Sequence, residues 1–277
     1  MTQTATVQET RRRRALVTGA STGLGAVFAT ALAQQQYDLT IVARGRERLE
    51  ALAGRLRQSY GTIVEVVVAD LTQPTALRTV EEHLAGDYAF ELLVNNAGFG
   101  TTGPFARLDP DQEEAEIRLN VLALVRLARA VLPGMIARSR GAIINVSSLA
   151  AFAPGPYDAT YNATKAFVNS FTEALYEELR GTGVHVQTLC PGFTHTEFQQ
   201  RAGIDISKIP TFAWMTPEAV VDASLHALQR RQVVCVPGLV NRLLVLLMGA
   251  APRRLVRRVA GLLAHRVLVG DGHNGLG

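Results

Sequence analysis

A hydroxyl, a phenol and an ammonium group lie close together in the stretch from Ser148 to Lys165. Tyr161 and Lys165 are four residues apart in a segment with apolar residues at helical spacing, 157–180, so both side chains are predicted on one helix face. A positive charge one turn away lowers the pKa of a phenol, ordinarily about 10, and makes it usable as a general acid or base. Ser148 follows a buried apolar run, from which its hydroxyl can meet the phenol. Two donors that converge on one point suit a carbonyl oxygen.

Taken alone, a Tyr and a Lys at this spacing are more often a surface pair. The secondary structure around them therefore decides whether they belong to an active site. Short apolar strands alternate with helical segments from Ala15 to Leu189. Strands are predicted at 15–18, 38–43, 63–68, 92–94, 142–146 and 184–189, and helices at 23–36, 47–58, 74–84, 111–137 and 157–180. Near-continuous apolar strands between helices indicate an α/β fold with a doubly wound parallel sheet, Rossmann-like, covered on both faces.

Length and composition fit a single domain. The chain has 277 residues, 48% of them hydrophobic, which is enough to bury a sizeable core. We assign residues 1–14 to a flexible basic tail, 15–236 to the dinucleotide-binding and catalytic domain, and 237–277 to a C-terminal extension. The basic run 11–14 is interpreted as a solvated lead-in, and the first ten residues lack the apolar region of a signal peptide.

Charge and cysteine content indicate which partners and which cellular compartment to expect. The net charge of +4 resides largely in the C-terminal extension, with no aromatic and basic platform beside it, so a nucleic-acid partner is not expected. Cys190 and Cys235 make no disulfide framework, which favours a reducing, cytoplasmic localisation. No metal site is predicted.

The first turn of the predicted sheet reads TGASTGLG from Thr18 to Gly25. Gly19 permits the tight exit from the strand, while Gly23 and Gly25 allow a phosphate to approach backbone N–H groups at a helix N-terminus. A literal GxGxxG pattern also occurs at Gly98, Gly100 and Gly103. Because Pro104 follows and no helix begins there, we interpret it as unrelated to phosphate binding.

Six motifs in order resemble the classical short-chain dehydrogenase/reductase family, from about Ala15 to at least Thr196. They are TGASTGLG at 18–25, NNAG at 95–98, Asn120 in the fourth helix, NVSS at 145–148, YNATK at 161–165 and PGFTHT at 191–196.

The resemblance implies hydride transfer between a nicotinamide cofactor and a carbonyl or alcohol carbon. Tyr161 would be the general acid or base, Lys165 would bind the nicotinamide ribose and lower the pKa of Tyr161, and Ser148 would polarise the carbonyl. Asn120 would hold a water that links Lys165 to solvent; without the resemblance, it would be interpreted as satisfying backbone groups at a helix kink. Oligomers through the fourth and fifth helices, dimers or tetramers, are also implied.

The resemblance also assigns a cofactor-binding set. It comprises Gly19, Ser21, Thr22, Gly23, Leu24, Gly25, Arg44, Asp70, Leu71, Asn96, Ala97, Gly98, Tyr161, Lys165, Pro191, Gly192, Thr194 and Thr196. Asp70 and Leu71 would contact adenine, the segment Asn95 to Gly98 would flank the adenosine ribose, and Thr196 would reach the carboxamide. Thr194 departs from the apolar residue that the family usually has.

The end of the second predicted strand favours NADP(H) over NAD(H). An NAD enzyme has an acid there for the ribose 2′-hydroxyl, whereas an arginine can neutralise a 2′-phosphate. Arg44 occupies this position, and no carboxylate follows until Glu47. Thr22 stands where NADP-preferring relatives often carry a basic residue. Arg46 could compensate, although a solvated arginine is the simpler interpretation.

The segment 191–215 resembles the family's substrate lid. It carries Phe193, Phe198, Ile204, Ile206, Ile209, Phe212, Trp214 and Met215, and Phe99 and Phe152 would line the opposite wall. Such walls favour an apolar ketone, aldehyde, steroid-like molecule or 3-oxoacyl thioester. Reduction is the expected direction. The alternatives are NAD-dependent oxidation of an alcohol and a non-catalytic NADP-binding scaffold protein, against which the complete set Asn120, Ser148, Tyr161 and Lys165 argues.

The C-terminal extension is rich in arginine. Between Ala223 and Gly270 there is no Asp or Glu but there are eight arginines, set among Leu and Val. The apolar run 243–251 is too short to span a bilayer. The preferred interpretation is that 243–263 packs over the pocket or a subunit interface. Peripheral contact with an anionic membrane, where lipid-derived substrates would be found, is the alternative.

Overall fold

Seven parallel strands form one sheet in a computed structural model that describes residues 12–86, 90–198, 202 and 211–264. Their spatial order is β3-β2-β1-β4-β5-β6-β7. The strands are β1 (Arg14–Thr18), β2 (Asp38–Ala43), β3 (Val64–Val68), β4 (Phe90–Asn95), β5 (Gly141–Val146), β6 (Val184–Leu189) and β7 (Val234–Cys235). The chain reverses its direction of winding between β1 and β4, and ligands bind at such a switch point in open α/β sheets.

The helices confirm the predicted alternation. They are α1 (Gly23–Gln34), α2 (Arg46–Tyr60), α3 (Pro74–Ala85), α4 (Pro110–Ile117), α5 (Leu124–Ala137), α6 (Ala159–Glu178), α7 (Pro217–Gln229), α8 (Leu239–Ala250) and α9 (Arg253–Ala264). A π-helical turn, Arg118–Ala123, joins α4 to α5, so the single helix predicted at 111–137 contains a wider turn at Asn120. The predicted boundaries differ from the observed ones by a few residues.

Two apolar cores lie on opposite faces of the sheet. One contains Phe28 of α1 and Leu49 of α2, and α7 adds Val220 and Leu225. The other is built by α3, α5 and α6 against the opposite face, with Leu127 among its fully buried side chains. Residues Pro110–Ala137 are long and apolar enough for a membrane span by length and composition alone, yet α5 packs in this second core. It is therefore a core helix.

Candidate active site

β5 and α6 bring the three predicted chemical groups together. Lys165 is buried on α6, and its Nζ donates to the Val146 carbonyl at the end of β5 at 2.9 Å. The Ser147 hydroxyl donates to the Lys165 carbonyl at 3.0 Å, which ties the helix to the strand. Ser148 begins the short 3-10 turn 149–152 and accepts a bond from Ala150 N. The Lys165 Nζ lies 5.6 Å from the centre of the Tyr161 ring.

Burial has the largest effect on the pKa values of Tyr161 and Lys165. It raises the pKa of Tyr161, while the nearby Ser148 hydroxyl acts to lower it and the carboxylates of Glu116 and Asp158 raise it further. Burial also lowers the pKa of Lys165 to about 8, partly offset by Glu116. The sequence predicted a phenol pKa lowered by the Lys165 charge, whereas in this structure loss of solvation acts in the opposite direction and raises it. The phenol keeps its proton, which is the form that a general acid requires.

Asn120 clamps the loop that follows β4. Its side chain accepts a bond from Phe99 N at 3.1 Å, and donates to Phe99 O at 2.8 Å and to Thr164 Oγ1 at 3.2 Å. It is 1% exposed and lies in the π-helical turn. These bonds go to the loop after β4 and to α6, not to the backbone of the kinked helix itself. The water that the family resemblance implies stays a prediction.

The segment Gly98–Gly103, here called the second glycine loop, packs against the Tyr161 ring. A Cβ added at Gly100 would lie 2.9 Å from Tyr161 Cδ2, so any side chain at this position would press on the ring. No helix begins within 98–103; a three-residue 3-10 turn starts at Phe105. The GxGxxG match therefore lies against the Tyr161 ring and does not lead into a helix as a phosphate-binding loop does.

The first glycine loop, Thr18–Gly25, has the shape expected of a cradle for a pyrophosphate. Gly19 has φ +66°, and a Cβ at Gly25 would collide with the Gly19 carbonyl, so the backbone folds tightly on itself. Within the described chain, no side chain caps the start of α1 and no acid occupies its first turn. Its N–H groups and dipole are thus free to face an anion, and these residues fit a dinucleotide cofactor.

Asn96 serves mainly as a brace for this loop. Its side-chain amide donates to the Thr18 carbonyl at 2.9 Å, and the Thr18 hydroxyl accepts bonds from the backbone of Asn96 and Ala97. Leu24 and Ala97 pack against the two cores, while Ser21, Thr22 and Gly98 are half-buried.

The residues after β2 and β3 meet at the edge of the predicted adenosine site. Arg44 and Asp70 form an ion pair at 3.9 Å, with side chains 76% and 36% exposed. Asp70 also accepts bonds from Thr72, and Leu71 is buried in the core. Arg44 is therefore anchored only loosely and can turn to another anion.

The PGFTHT segment lies over the first glycine loop. Pro191 accepts a bond from Leu149 N, and the buried Thr194 donates to the Gly192 carbonyl at 3.0 Å. A Cβ at Gly23 would lie 3.4 Å from the side chain of Thr196, so this threonine stands directly above the loop.

The predicted substrate wall is brought together only in part. The Phe198 ring lies 5.5 Å from the Tyr161 ring, whereas Phe193 and Trp214 pack on each other at 5.7 Å. Trp214 also stacks on His195 at 4.5 Å. Phe99 and Phe152 are half-buried. Ile204, Ile206 and Ile209 of the predicted lid, and the side chain of Phe212, lie outside the described residues.

Two acidic residues of the centre were missed in the sequence. Glu113 and Glu116 are buried on α4, and burial raises the pKa of Glu116 to about 7, lowered in part by its bonds with Thr101. The available signal was spacing, because Glu116 lies one helical turn before Asn120.

Known proteins similar in sequence identify the family of the chain. Residues 13–206 match the family described as short chain dehydrogenase. The chain is 34% identical over 231 residues to a very-long-chain 3-oxoacyl-CoA reductase of Anas platyrhynchos, covering 80% of this chain and 72% of that protein.

Two solved structures extend the similarity beyond the matched segment. A short-chain dehydrogenase from Sphingobium yanoikuyae in complex with NADPH is 40% identical, with a TM-score of 0.80, over 87% of this chain and 96% of its own. A bulky-bulky ketone specific alcohol dehydrogenase from Comamonas testosteroni is 32% identical, with a TM-score of 0.75, over 95% and 97%. The chain belongs to the short-chain dehydrogenase/reductase family of oxidoreductases, which act on carbonyl or alcohol groups.

Proposed function

We propose that this protein is an NADP(H)-dependent reductase of a bulky apolar ketone or 3-oxoacyl thioester, with Tyr161 as the general acid. The observation that carries the proposal is the placement of the Tyr161 phenol: the Ser148 hydroxyl hydrogen-bonds to it, and the buried Lys165 Nζ lies 5.6 Å from the ring centre. Aldehydes and steroid-like ketones belong to the same chemical class and are tested together with these substrates.

The bound cofactor would supply the hydride, and the residues of the chain would handle charge and protons. The Ser148 hydroxyl would donate to the carbonyl oxygen and stabilise the negative charge that develops on it. Tyr161 would then give its proton to that oxygen. Lys165, held by the Val146 carbonyl, would stabilise the phenolate left behind and bind the ribose. Asn120 would keep the second glycine loop in place over the phenol.

NADPH is preferred over NADH in this proposal because of Arg44. Its guanidinium is 76% exposed and has a weakly held partner in Asp70, so it is available to pair with a 2′-phosphate. The Sphingobium relative, at 40% identity, carries NADPH in its structure, which supports the same choice. An NAD-dependent enzyme that oxidises an alcohol is the alternative.

The substrate class rests on the apolar side chains near the phenol. Phe198 lies against the Tyr161 ring, and Phe99 and Phe152 belong to segments beside it. Two relatives are named for a very-long-chain 3-oxoacyl-CoA and for ketones that are bulky on both sides. A carbonyl flanked by large apolar groups suits both lines of support.

The test is oxidation of NADPH and of NADH with a panel of bulky ketones, aldehydes and acyl thioesters. We expect turnover with NADPH, greatest for bulky apolar carbonyl compounds and lost in Tyr161→Phe. Turnover that occurs only with an alcohol and NAD would favour the oxidative alternative. Binding of NADPH without turnover of any compound, equal in wild type and variant, would favour a scaffold role.

A homodimer or homotetramer is proposed to form through α4, α5 and α6. Large apolar side chains on these helices are more than one third exposed, namely Ile117, Ile136 and Phe167. Phe167 also stacks on Phe171 along α6.

The cytoplasmic setting likewise stays a prediction, and the buried thiols of Cys190 and Cys235 are both free in the structure.

The C-terminal helices are proposed to rest on an anionic membrane. α8 contacts the 3-10 turn 149–152 and buries Asn241. Val245 and Met248 of α8 are half-buried. Six other apolar residues of α8 are exposed, together with three of α9; they are Leu239, Val240, Leu243, Leu244, Leu246, Leu247, Leu255, Val259 and Leu262.

Charge selects the partner of this face. Helical spacing places Leu255, Val259 and Leu262 together, with Arg253 and Arg257 on the opposite side of α9. No Asp or Glu lies between Ala223 and Ala264, so the only full charges in this part of the chain are the positive charges of its arginines. An anionic lipid surface supplies both the apolar contact and the negative charge.

A further inference from the structure

Two buried carboxyl groups share one threonine hydroxyl next to the catalytic centre. Glu113 and Glu116 lie one turn apart on α4, 9% and 0% exposed. The Thr101 hydroxyl is within hydrogen-bond distance of Glu113 Oε1 and, at 2.9 Å, of Glu116 Oε2. Thr101 N donates to the same Glu116 oxygen at 2.9 Å. The Thr160 hydroxyl, from the first turn of α6, bonds to Glu113.

Because the two carboxyl groups share one hydroxyl, it is costly for both to be ionised. A threonine hydroxyl has one proton and therefore donates to one carboxylate only. When the second carboxyl group carries a proton of its own, it can donate that proton to the threonine oxygen. Glu116 Oε1 is buried with no hydrogen-bond partner among the described residues, which adds to the cost of a full charge there.

The pair acts on the reacting groups in two ways. Glu116 holds Thr101 while Asn120, one turn later, holds Phe99, so the α4 segment fixes the second glycine loop against Tyr161 at two points. A negative charge on Glu116 also favours the proton on Tyr161 and the proton on Lys165.

Few other charges face these groups. Glu113 and Lys165 are the groups whose charges act on Glu116. Asp158 joins Glu116 in acting on Tyr161, and the Cys190 thiol acts on Lys165.

We propose that Glu116 is a positioning residue of the reaction: it shares one proton with Glu113 through Thr101, and its charge holds the protons of Tyr161 and Lys165. Ionisation of Glu116 keeps Tyr161 in the form that donates to the nascent alkoxide. The role rests on the proposed carbonyl reduction with Tyr161 as the acid.

The first experiment is the pH dependence of carbonyl reduction in wild type and Glu116→Gln. Glutamine keeps the shape and can still bond to Thr101, but it carries no charge. We expect the alkaline fall in kcat to move to lower pH by about 0.5–1 pH unit, because loss of the Glu116 charge lowers the pKa of Lys165, which burial already brings to about 8. The control is Glu114→Gln on the same helix, whose exposed carboxylate pairs with Arg118. A lower kcat with an unchanged pH profile would mean that Glu116 only braces the loop, and would overturn the proposal.

A second measurement does not depend on turnover. Infrared difference spectra between about pH 5 and about pH 9 should show a protonated carboxyl band that wild type and Glu114→Gln lose on titration and Glu116→Gln lacks. An identical band loss in Glu116→Gln would refute the shared proton. If wild type reduces no carbonyl compound while the infrared result holds, the proposed function fails and the proton-sharing pair stands.

Discussion

The catalytic centre buries polar side chains, whereas the C-terminal helices expose apolar ones. In the centre, polar side chains are buried and almost all of their atoms have partners; Lys165, Asn120 and Thr101 each bond to a neighbouring segment. In α8 and α9, large apolar side chains face outward and the arginines have no nearby acids in the sequence.

The difference indicates what each region is built to meet. Buried polar groups are costly unless they are satisfied, so the centre is rigid and selects a small polar group such as a carbonyl. An exposed apolar face costs free energy in water, and contiguous patches of this kind mark interaction surfaces. The first region should therefore control chemistry without affecting membrane contact, and the second should do the reverse.

Tyr161→Phe is the strongest test of the first half of this contrast. Removing the general acid should lower kcat by about a thousandfold, while binding of NADPH and of liposomes stays as in wild type. The measurement is steady-state NADPH oxidation together with cofactor titration. Tyr176→Phe, on the same helix but packed against the core, is the matched control and should retain full activity. A variant with near wild-type turnover would remove Tyr161 from the mechanism.

Arg44→Ala tests the cofactor edge, which lies in the same half of the sheet but at the surface. Loss of a charge-assisted contact to a 2′-phosphate should raise the KM for NADPH about tenfold to a hundredfold and leave the KM for NADH unchanged. Stability should hardly change, because the Arg44–Asp70 pair is exposed. Arg55→Ala, at an exposed position of α2, is the control and should leave both KM values unchanged. Equal effects of Arg44→Ala on both cofactors would contradict recognition of the phosphate.

Leu247→Gln tests the second half of the contrast. Its side chain is 59% exposed on α8, and the change should lower partitioning onto anionic liposomes by about fivefold at low salt without altering kcat. Ile63→Gln removes an equally exposed apolar group, 62%, from another surface and should have no effect on sedimentation with liposomes. High salt should weaken wild-type binding. Equal sedimentation of both variants, or no binding of wild type to anionic vesicles, would rule out the membrane contact.

Much of the sheet and the central trio was accessible from the sequence because local rules specify them. Apolar runs bounded by turns predicted six of the strands, and the spacing of Tyr161 and Lys165 placed both on one helix. β7 was missed because two residues, Val234 and Cys235, are too few to form a pattern.

Other features depend on which segments meet in three dimensions. The link between Thr101 and Glu116 requires the loop after β4 to cross α4, and nothing local predicts that crossing. Likewise, the amphipathic pattern of α9 predicts a helix but does not reveal that Leu255 and Leu262 remain exposed. The burial that raises the pKa of Tyr161 is a property of the packed centre, whereas the one-turn spacing to Lys165 suggested the opposite direction.

The smallest expected effect concerns the stability cost of burying Glu116. Its pKa is raised from 4.5 to about 7, so the folded protein binds more protons than the unfolded chain between these values. Stability contributed by this group is therefore lost as pH rises from about 4.5 towards 7. Between about pH 5 and about pH 8, the Tm of wild type should fall by a few degrees relative to Glu116→Gln. Glu114→Gln should follow wild type, since its carboxylate is exposed. If Tm depends on pH in the same way in wild type and Glu116→Gln, burial of Glu116 has no stability cost. The carboxyl groups of the centre would then behave like surface groups, and the contrast with α8 and α9 would fail.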